Sequence, residues 1–389
     1  MNKIRGTVKT KKLRWTTAIV SAIALGVVFC SVGVSASTAA VSRVAVPHTS
    51  KPTIALIQIG ANNPFWTAEN VAADAAANEH GFTMKILSGN NSVSTQSSEI
   101  EQLANEHVSA IIICAIDPAS MHTAFAYAKA RGVPVISIYS SSKQATMSAG
   151  FDEERVGHDM AVFSLKLLEE RYGSAKGTVA VLGLSLGQTL ETYRIGGFVS
   201  TLAQYPNIHV VSEQPTNSLA ATAQSLMEDW LTRYPSLSLI YGGSDTVTVP
   251  AITIAQRDHR VCDVATKSWK SNPHCIIYTS VDGDPIGIAA IRAGTLAGTD
   301  LYAPYWAGYQ FAMMGYDLAT HKISPRTMVL QALPVDGTNV SCINKMQTAM
   351  ANHLSTFNFN GTLVQIAKRY GCPTVTISGG PPLKGGQQF

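Results

Sequence analysis

The chain is poor in charged residues, and its excess positive charge is confined to one end. Asp, Glu, Lys and Arg make up 14% of the 389 residues, against roughly 25% in a typical soluble domain. The first 36 residues contain six basic side chains and no acidic one, which leaves 23 basic against 25 acidic residues in the rest. A protein that binds nucleic acid needs a basic surface on its folded part. The charge distribution therefore argues against that class.

Common metal and nucleotide motifs are also missing. No Cys-x-x-Cys occurs, and no pair of histidines has ligand spacing on a predicted helix. Neither phosphate-binding pattern, G-x-G-x-x-G or G-x-x-x-x-G-K-[ST], follows a predicted strand. We therefore expect no metal and no cofactor.

A long run that is both uncharged and mostly apolar lies at the N-terminus, and no later segment reaches 18 apolar residues. Residues 15–34 carry no charge, follow the six basic residues and precede a series of small residues. This order is typical of a cleaved secretory signal peptide, so we assign residues 1–40 to a signal and linker and expect a periplasmic or extracellular protein. The alternatives are an uncleaved membrane anchor and a lipoprotein at Cys30, which the bulky Phe29 before it disfavours.

Five cysteines remain once Cys30 is set aside. Cys262 and Cys275 flank a polar run 13 residues apart, Cys342 and Cys372 bracket the C-terminal stretch, and Cys114 ends an apolar run. For an exported protein, two local disulfides and one buried thiol form the simplest arrangement. A zinc site is the alternative.

Predicted strands and helices alternate twice along the chain. Apolar runs such as 53–59 and 110–114 are typical of strands that are buried on both faces of a parallel sheet, and helical segments such as 65–80 lie between them. The pattern restarts near residue 152. Repeated strand–helix–strand units predict parallel sheets with helices on both faces. We therefore predict an α/β fold with two doubly wound lobes, followed by a C-terminal extension at 341–389.

Ligands of open parallel sheets bind beyond the carboxyl ends of the strands. The loops there contain aromatic rings, amides, carboxylates and one arginine, a combination that suits a neutral ligand with several hydroxyl groups. Core packing is the alternative for the aromatic residues, and a helix N-cap is the alternative for Asp282. These loop residues are Asn62, Asn63, Phe65, Trp66, Asp117, Tyr139, Arg194, Ser244, Asp245 and Asp282.

One enzymatic motif is present. Residues 183–187 read Gly-Leu-Ser-Leu-Gly and lie between a predicted strand and helix, the context of a hydrolase nucleophile. Such a short pattern arises readily by chance in a chain with 30 glycines, and a hydrolase would have one continuous sheet. A Ser185 esterase-type hydrolase is the alternative from another class. Its partners would be Asp245 or Asp282 and then His321 or His353.

Several segments together resemble the ribose-type periplasmic sugar-binding proteins, a family related to the effector domain of lactose-repressor-type regulators. They lie in order and at family-like spacing across roughly residues 52–335. The resemblance implies a type 1 periplasmic binding protein, with two lobes joined by three hinge strands that close on a ligand and present it to an ABC importer. The segments are Thr53-Ile54-Ala55-Leu56, Asn62-Asn63-Pro64-Phe65-Trp66, Pro134-Val135-Ile136, Gly183 with Arg194 and Gly197-Phe198, Tyr234-Pro235, and Val281-Asp282-Gly283.

The resemblance also implies roles for individual residues. The positions that match ligand contacts in the family are Asn63, Phe65, Trp66, Arg194 and Asp282. Four departures favour a ligand other than ribose, bulkier or less hydroxylated. Tyr139-Ser140 stands in place of an Asp-Arg pair, Ser244 in place of an Asn before Asp245, Ser218 in place of an aromatic residue, and Tyr302 in place of a hinge Gln. Tyr302 therefore joins the predicted ligand-binding set.

We expect an exported, non-enzymatic receptor that closes around a small polar ligand, a sugar or sugar-like compound, and delivers it to an ABC importer. The expected lobes are residues 52–152 with about 302–331, and 153–301 with about 332–340. A monomer is expected, with the ligand and a membrane permease as partners. The alternative within binding proteins is a sensor for a membrane histidine kinase or chemoreceptor.

Overall fold

Two six-stranded sheets organise the part of the chain that the structure describes. The computed structural model describes residues 51–61, 63–186 and 188–382. The predicted signal peptide with Cys30, and also Asn62 and Gly187, lie outside these residues.

The first sheet and its helices form what we call the N-lobe. Its strands are all parallel, in the order β11 (Thr327–Leu330), β5 (Met147–Phe151), β4 (Val135–Ile138), β3 (Ala110–Cys114), β1 (Thr53–Gln58) and β2 (Thr83–Ser88). Its helices are α1 (Pro64–His80), α2 (Val93–Asn105), α3 (His122–Ala130) and α9 (Pro304–Ala319). Alternate side chains of β1 belong to different apolar clusters: Ile54 packs in the cluster of α1 and α9, and Ala55 in that of α2 and α3. Burial on both faces explains why these strands are continuously apolar.

The second sheet and its helices form the C-lobe. Its strand order is β12 (Leu333–Asp336), β10 (Gly298–Leu301), β9 (Ile277–Asp282), β8 (Leu237–Gly242), β6 (Gly177–Gly183) and β7 (Ile208–Pro215). Only the β10–β12 pair in this described sheet is antiparallel. Its helices are α4 (Glu153–Tyr172), α5 (Gly196–Leu202), α6 (Ala220–Arg233), α7 (Asp245–Arg257) and α8 (Pro285–Arg292). The predicted α/β class with two doubly wound lobes is confirmed.

The chain crosses between the two sheets three times. It leaves the N-lobe sheet after β5 and enters the C-lobe through α4. It returns from β10 to α9 through Tyr302 and Ala303, and it crosses again between β11 and β12 through Gln331 and Ala332. These crossings are the three-segment hinge that the resemblance implies. No helix in the described residues has both the length and the apolar character needed to cross a bilayer.

The C-terminal extension is folded as far as the structure describes it. It contains α10 (Val340–Asn352) and α11 (Leu363–Arg369). The structure joins Cys342 to Cys372 within the extension and Cys262 to Cys275 within the C-lobe, and it leaves Cys114 as a buried free thiol. No cluster of three or more possible metal ligands occurs among the described residues.

Candidate ligand-binding site

A cavity of about 230 Å³ lies between the carboxyl ends of the strands of both sheets. This volume is below the roughly 300–1,000 Å³ of pockets that hold drug-sized ligands, so the cavity suits a small molecule. The N-lobe lining is Ile59, Gly60, Asn63, Phe65, Trp66, Asn91 and Tyr139. The C-lobe lining is Leu184, Gln188, Leu190, Arg194, Asn217, Ser218, Leu219, Ser244, Thr246 and Asp282, and Tyr302 contributes from a crossing.

The N-lobe contributes an aromatic wall because of the way α1 begins. Asn63 caps the helix by accepting a hydrogen bond from the backbone N–H of Phe65 at 2.8 Å, and Pro64 occupies the first turn. The rings of Phe65 and Trp66 therefore lie in that turn, with centroids 5.0 Å apart and planes nearly perpendicular. Phe65 is buried and Trp66 is half-buried. Trp66 thus offers a face on which the apolar side of a sugar ring can stack.

Tyr139 is the most deeply buried aromatic residue of this wall, and it is tied to an acid behind it. Its hydroxyl donates a hydrogen bond to the carboxyl group of Glu69 in α1, which also accepts one from Gln58 Nε2 at 3.0 Å. Burial raises the pKa of Glu69 to about 8, and these two hydrogen bonds offset only part of the rise. Glu69 is therefore mainly protonated at neutral pH, and the N-lobe half of the site is uncharged.

Arg194 is the one cation among the described residues that line the cavity. It lies in a π-helical turn, Glu191–Ile195, that leads into α5. Nε donates to Glu153 Oε2 at 2.7 Å, Nη1 to the Gly243 carbonyl at 2.6 Å and to Asp282 Oδ1 at 3.1 Å, and Nη2 to the Tyr302 hydroxyl at 3.2 Å. Four of its five N–H donors are thus used within the protein. One N–H on Nη2 has no hydrogen-bond partner among the described residues.

Two glycines allow Arg194 to reach Glu153. A Cβ on Gly157 of α4 would lie 2.0 Å from the Arg194 carbonyl oxygen, and one on Gly197 would lie 2.3 Å from the Glu154 carbonyl oxygen. The close approach of the two helices brings Glu153, the first residue of α4, beside the guanidinium. Glu153 also accepts a hydrogen bond from the Tyr302 hydroxyl at 2.7 Å. Burial raises the pKa of Glu153, and the attraction of Arg194 opposes the rise.

A group of buried acids supports the loop that carries Asp282. Asp282 lines the cavity and is 9% exposed. Behind it, Asp245 accepts hydrogen bonds from the Asp284 backbone N–H at 2.9 Å and the Thr299 hydroxyl at 3.1 Å. Burial, with a smaller contribution from Asp282, raises the pKa of Asp245 to about 7. Asp245 thus fixes the loop that follows Asp282 through the Asp284 N–H, and it does not itself line the cavity.

Most of the predicted ligand-binding residues come together in the cavity. The structure places there Asn63, Phe65, Trp66, Tyr139, Arg194, Ser244, Asp282 and Tyr302, and leaves out Asp117 and Asp245. Asp117 accepts hydrogen bonds from the backbone N–H groups of Ala119 and Ser120 and from the Ser120 hydroxyl, so its carboxylate closes its own turn. The Ser120 hydroxyl is the main cause of the lowered pKa of Asp117.

Two kinds of residue are among those at or behind the site that were not predicted from the sequence. Asn91 and Asn217 follow β2 and β7, and reading the loop after every predicted strand would have found them. Glu69 and Glu153 lie within helices, where an acid is normally solvated, and no local sequence signal marks them as buried.

Ser185 of the hydrolase-like motif lies in the loop after β6, outside the cavity lining, whereas its neighbours Leu184 and Gln188 line it. Among the described residues, Ser185 forms a hydrogen bond only through its carbonyl, which accepts from the Gln188 N–H at 3.2 Å. His321 follows α9 and His353 follows α10. The loop is thus a wall of the cavity.

Known proteins with similar sequences are solute-binding proteins. The family model described as periplasmic binding protein domain matches residues 54–323, more than half of the chain. A xylitol-binding protein of Mycolicibacterium smegmatis is 23% identical over 285 residues, which cover 73% of this chain and 74% of that protein. A ribose import binding protein of Bacillus subtilis is 24% identical over 257 residues, which cover 66% of this chain and 78% of that protein.

Solved structures are similar over the same region. An ABC transporter solute-binding protein from Bacillus halodurans with bound myo-inositol has a TM-score of 0.68 at 18% identity, and the match covers 77% of this chain and 99% of that one. A solute-binding protein from Burkholderia graminis in complex with D-arabinose has a TM-score of 0.65 at 24% identity, with 74% and 96% covered. At these identities the likeness establishes the fold.

Proposed function

The chain belongs to the periplasmic binding protein domain family, and from this premise we propose that it is an exported receptor for one small, neutral, hydroxylated ligand, a sugar or polyol. The observation that carries the proposal is the cavity between the lobes, which both lobes line. A ligand that contacts both lobes at once binds the closed form more tightly, and it therefore shifts the hinge equilibrium towards closure.

The hydrogen-bonding groups of the site favour a neutral ligand. Arg194 has one N–H left, and the Tyr302 hydroxyl both donates to Glu153 and accepts from Arg194. The amides of Asn91, Gln188 and Asn217 also line the cavity. Amides donate and accept, as hydroxyl groups do, so they pair with a polyol without a charge on either side.

The shape of the site favours a ligand with one apolar face. Trp66 offers its ring from the N-lobe, and Leu184, Leu190 and Leu219 line the cavity from the C-lobe. Leu219 is 56% exposed, so a ligand and closure of the lobes would bury apolar surface there. Solved structures of this fold with bound myo-inositol and D-arabinose support a small hydroxylated ligand.

The cellular role follows from the family and from the N-terminal pattern. Relatives named as import binding proteins support delivery to an ABC permease. The basic and uncharged N-terminal segments support export by a signal peptide and a receptor that acts outside the cytoplasm, and we propose that this receptor is a monomer. Within the receptor, we assign residues 52–152 and 302–331 to one lobe, and residues 153–301 and 332–340 to the other. A non-enzymatic role fits a family of binding proteins, and an ester-hydrolysis assay with Ser185→Ala as control checks it.

Thermal unfolding of the protein without residues 1–40 tests the proposal. The panel is ribose, arabinose, xylitol, myo-inositol, glucose and galactose, with amino acids as the contrasting class. A ligand of the native state stabilises it by about 2.7 kcal/mol at 100 times its dissociation constant, so a rise in Tm with a sugar or polyol is expected. If Tm rises only with amino acids, or if no sugar or polyol raises it, the proposed ligand class is wrong.

A matched pair of variants connects the ligand to this cavity. Asp282→Asn changes a carboxylate in the lining, and Asp117→Asn makes the same change outside it. The first variant should lose most of the Tm rise and the second should keep it. Equal behaviour of the two variants would place the ligand elsewhere.

A further inference from the structure

The C-terminal extension lies outside the region that the family model matches, yet it contacts both lobes. It follows β12 directly, so it is anchored to the C-lobe sheet by the chain itself. The disulfide between Cys342 and Cys372 holds the start of α10 to the segment after α11. The extension is therefore a folded unit and not a loose tail over its described length.

One loop of the extension, residues 358–361, binds the N-lobe helix α9. Trp306 Nε1 donates a hydrogen bond to the Gly361 carbonyl at 3.0 Å, and Gln310 Nε2 donates one to the Phe359 carbonyl at 2.7 Å. The rings of Tyr309 and Phe359 stack at 4.4 Å, and Phe359 is 2% exposed. Two hydrogen bonds and a buried ring stack make the contact between this loop and α9 specific. We call residues 358–361 the latch loop.

The other side of the extension binds the C-lobe next to the ligand site. α10 packs against α8 and β12 of the C-lobe, and it also contacts α9 of the N-lobe. The buried side chain of Gln347 in α10 donates a hydrogen bond to the Gly283 carbonyl at 3.1 Å. Gly283 directly follows Asp282, which lines the cavity and has a φ of 105°, a backbone conformation that non-glycine residues rarely adopt. Such a conformation persists only when its surroundings hold it, and Gln347 is one of the groups that do so.

We propose that the extension is a strap that couples the two lobes across the hinge, with Gln347 as a positioning residue for Asp282. A body that is bonded to both lobes resists their relative rotation. The latch loop holds the first turns of α9, which begins just after the crossing through Tyr302. The strap therefore acts close to the hinge, where it limits the range of rotation without covering the cavity.

The range of lobe motion can be measured without any ligand. Ala126 in α3 and Ala221 in α6 are exposed and belong to different lobes, and spin labels on cysteines introduced there report the inter-lobe distance distribution. Cys114 is buried, so the labels go to the new thiols. The latch variant Gln310→Leu/Phe359→Ala and the disulfide variant Cys342→Ser/Cys372→Ser should both broaden this distribution. Cys262→Ser/Cys275→Ser removes the disulfide inside the C-lobe and is the matched control, with an unchanged distribution expected.

Unchanged widths in both strap variants would overturn the proposal, and so would equal broadening in the control. Because the two strap variants act by different routes, one that fails to unfold cooperatively does not remove the test. Neither measurement requires knowledge of the ligand. If no sugar or polyol raises Tm, the strap proposal is unaffected. If the inter-lobe distance distribution is unchanged in every variant, the proposed ligand class is unaffected.

Hydrogen exchange of the backbone N–H groups of Gly283 and Asp284 tests the role of Gln347. Loss of a hydrogen bond worth about 1 kcal/mol speeds local exchange about fivefold, so Gln347→Leu should show that increase. Thr348→Ala changes an exposed side chain on the same helix and should leave the exchange unchanged. Equal exchange in wild type and Gln347→Leu would remove Gln347 from the positioning role.

Discussion

The two halves of the candidate site differ in charge and in the side chains that line them. The N-lobe half is uncharged and aromatic, with Phe65, Trp66 and Tyr139 in front of Glu69, whose raised pKa keeps it mainly protonated. The C-lobe half is ionic, with Arg194 held between Glu153 and Asp282. The difference indicates a division of labour: the N-lobe supplies the aromatic face, and the C-lobe supplies the fixed charges that orient the polar groups of the ligand, beside the leucines Leu184, Leu190 and Leu219. A neutral ligand with one apolar face satisfies both halves.

The largest expected effect is on the ionic half. Arg194→Ala leaves two buried carboxylates without their partner, and breaking a buried ion pair costs about 3–5 kcal/mol. Urea unfolding measures the loss. Arg233→Ala, which removes an exposed pair with Asp229 in the same lobe, is the control and should cost under about 1 kcal/mol. Similar losses for the two variants would show that the C-lobe half is not held by buried charge.

The N-lobe half is neutral only if Glu69 is protonated, and the pH dependence of stability tests this. The pKa of Glu69 rises to about 8 on folding, so the folded state binds this proton more tightly than the unfolded state. The free energy of unfolding is therefore undiminished by Glu69 below about pH 4.5, and it falls as the pH rises to about 8. Glu69→Gln removes this component, so wild type should lose a few kcal/mol relative to the variant between these pH values.

Urea unfolding of both proteins at pH 5 and pH 8 measures this difference. Asp245 in the C-lobe half also has a raised pKa, but both proteins share it, and its contribution cancels in the comparison. Parallel pH dependence of wild type and Glu69→Gln would mean that Glu69 is ionised in the folded state, and the N-lobe half would then carry charge.

The aromatic wall predicts a smaller, direct effect on binding. Trp66→Ala should weaken the affinity for the strongest sugar or polyol of the panel by about 1–3 kcal/mol, because the stacking face is lost. Trp66→Phe keeps a ring and should retain most of the affinity. Isothermal titration measures both. Full affinity in Trp66→Ala with an intact fold would leave the N-lobe half without its assigned role.

The sequence predicted the two lobes and most of the cavity because both follow from local patterns. Four strands that were not predicted from the sequence lack such patterns. β5, β10, β11 and β12 are four or five residues long, and Gly298 and Asp300 of β10 do not read as a strand. Asp300 is 3% exposed because neighbouring elements cover it. A strand that is buried by its surroundings has no need of an apolar run, so periodicity does not show it.

The electrostatics of the site could not be predicted from local sequence patterns either. The position of Arg194 after a strand predicts that it lies at the site, but its use of four donors within the protein depends on Glu153, Gly243, Asp282 and Tyr302, which are distant in sequence. A residue type and a loop position indicate that a group faces a cavity. They do not indicate how many of its hydrogen bonds are still free, because that depends on packing.

The smallest expected effect tests where the ionic half ends. Asp117 was expected at the site, and the structure has its carboxylate closing a local turn outside the cavity. Asp117→Asn keeps an oxygen that can accept from the Ala119 N–H, so the turn should survive. Titration should show an affinity within about twofold of wild type, as for a substitution away from the site. A tenfold loss would mean that the ligand reaches beyond the described cavity to the loop after β3, and the N-lobe would then also contribute a charge.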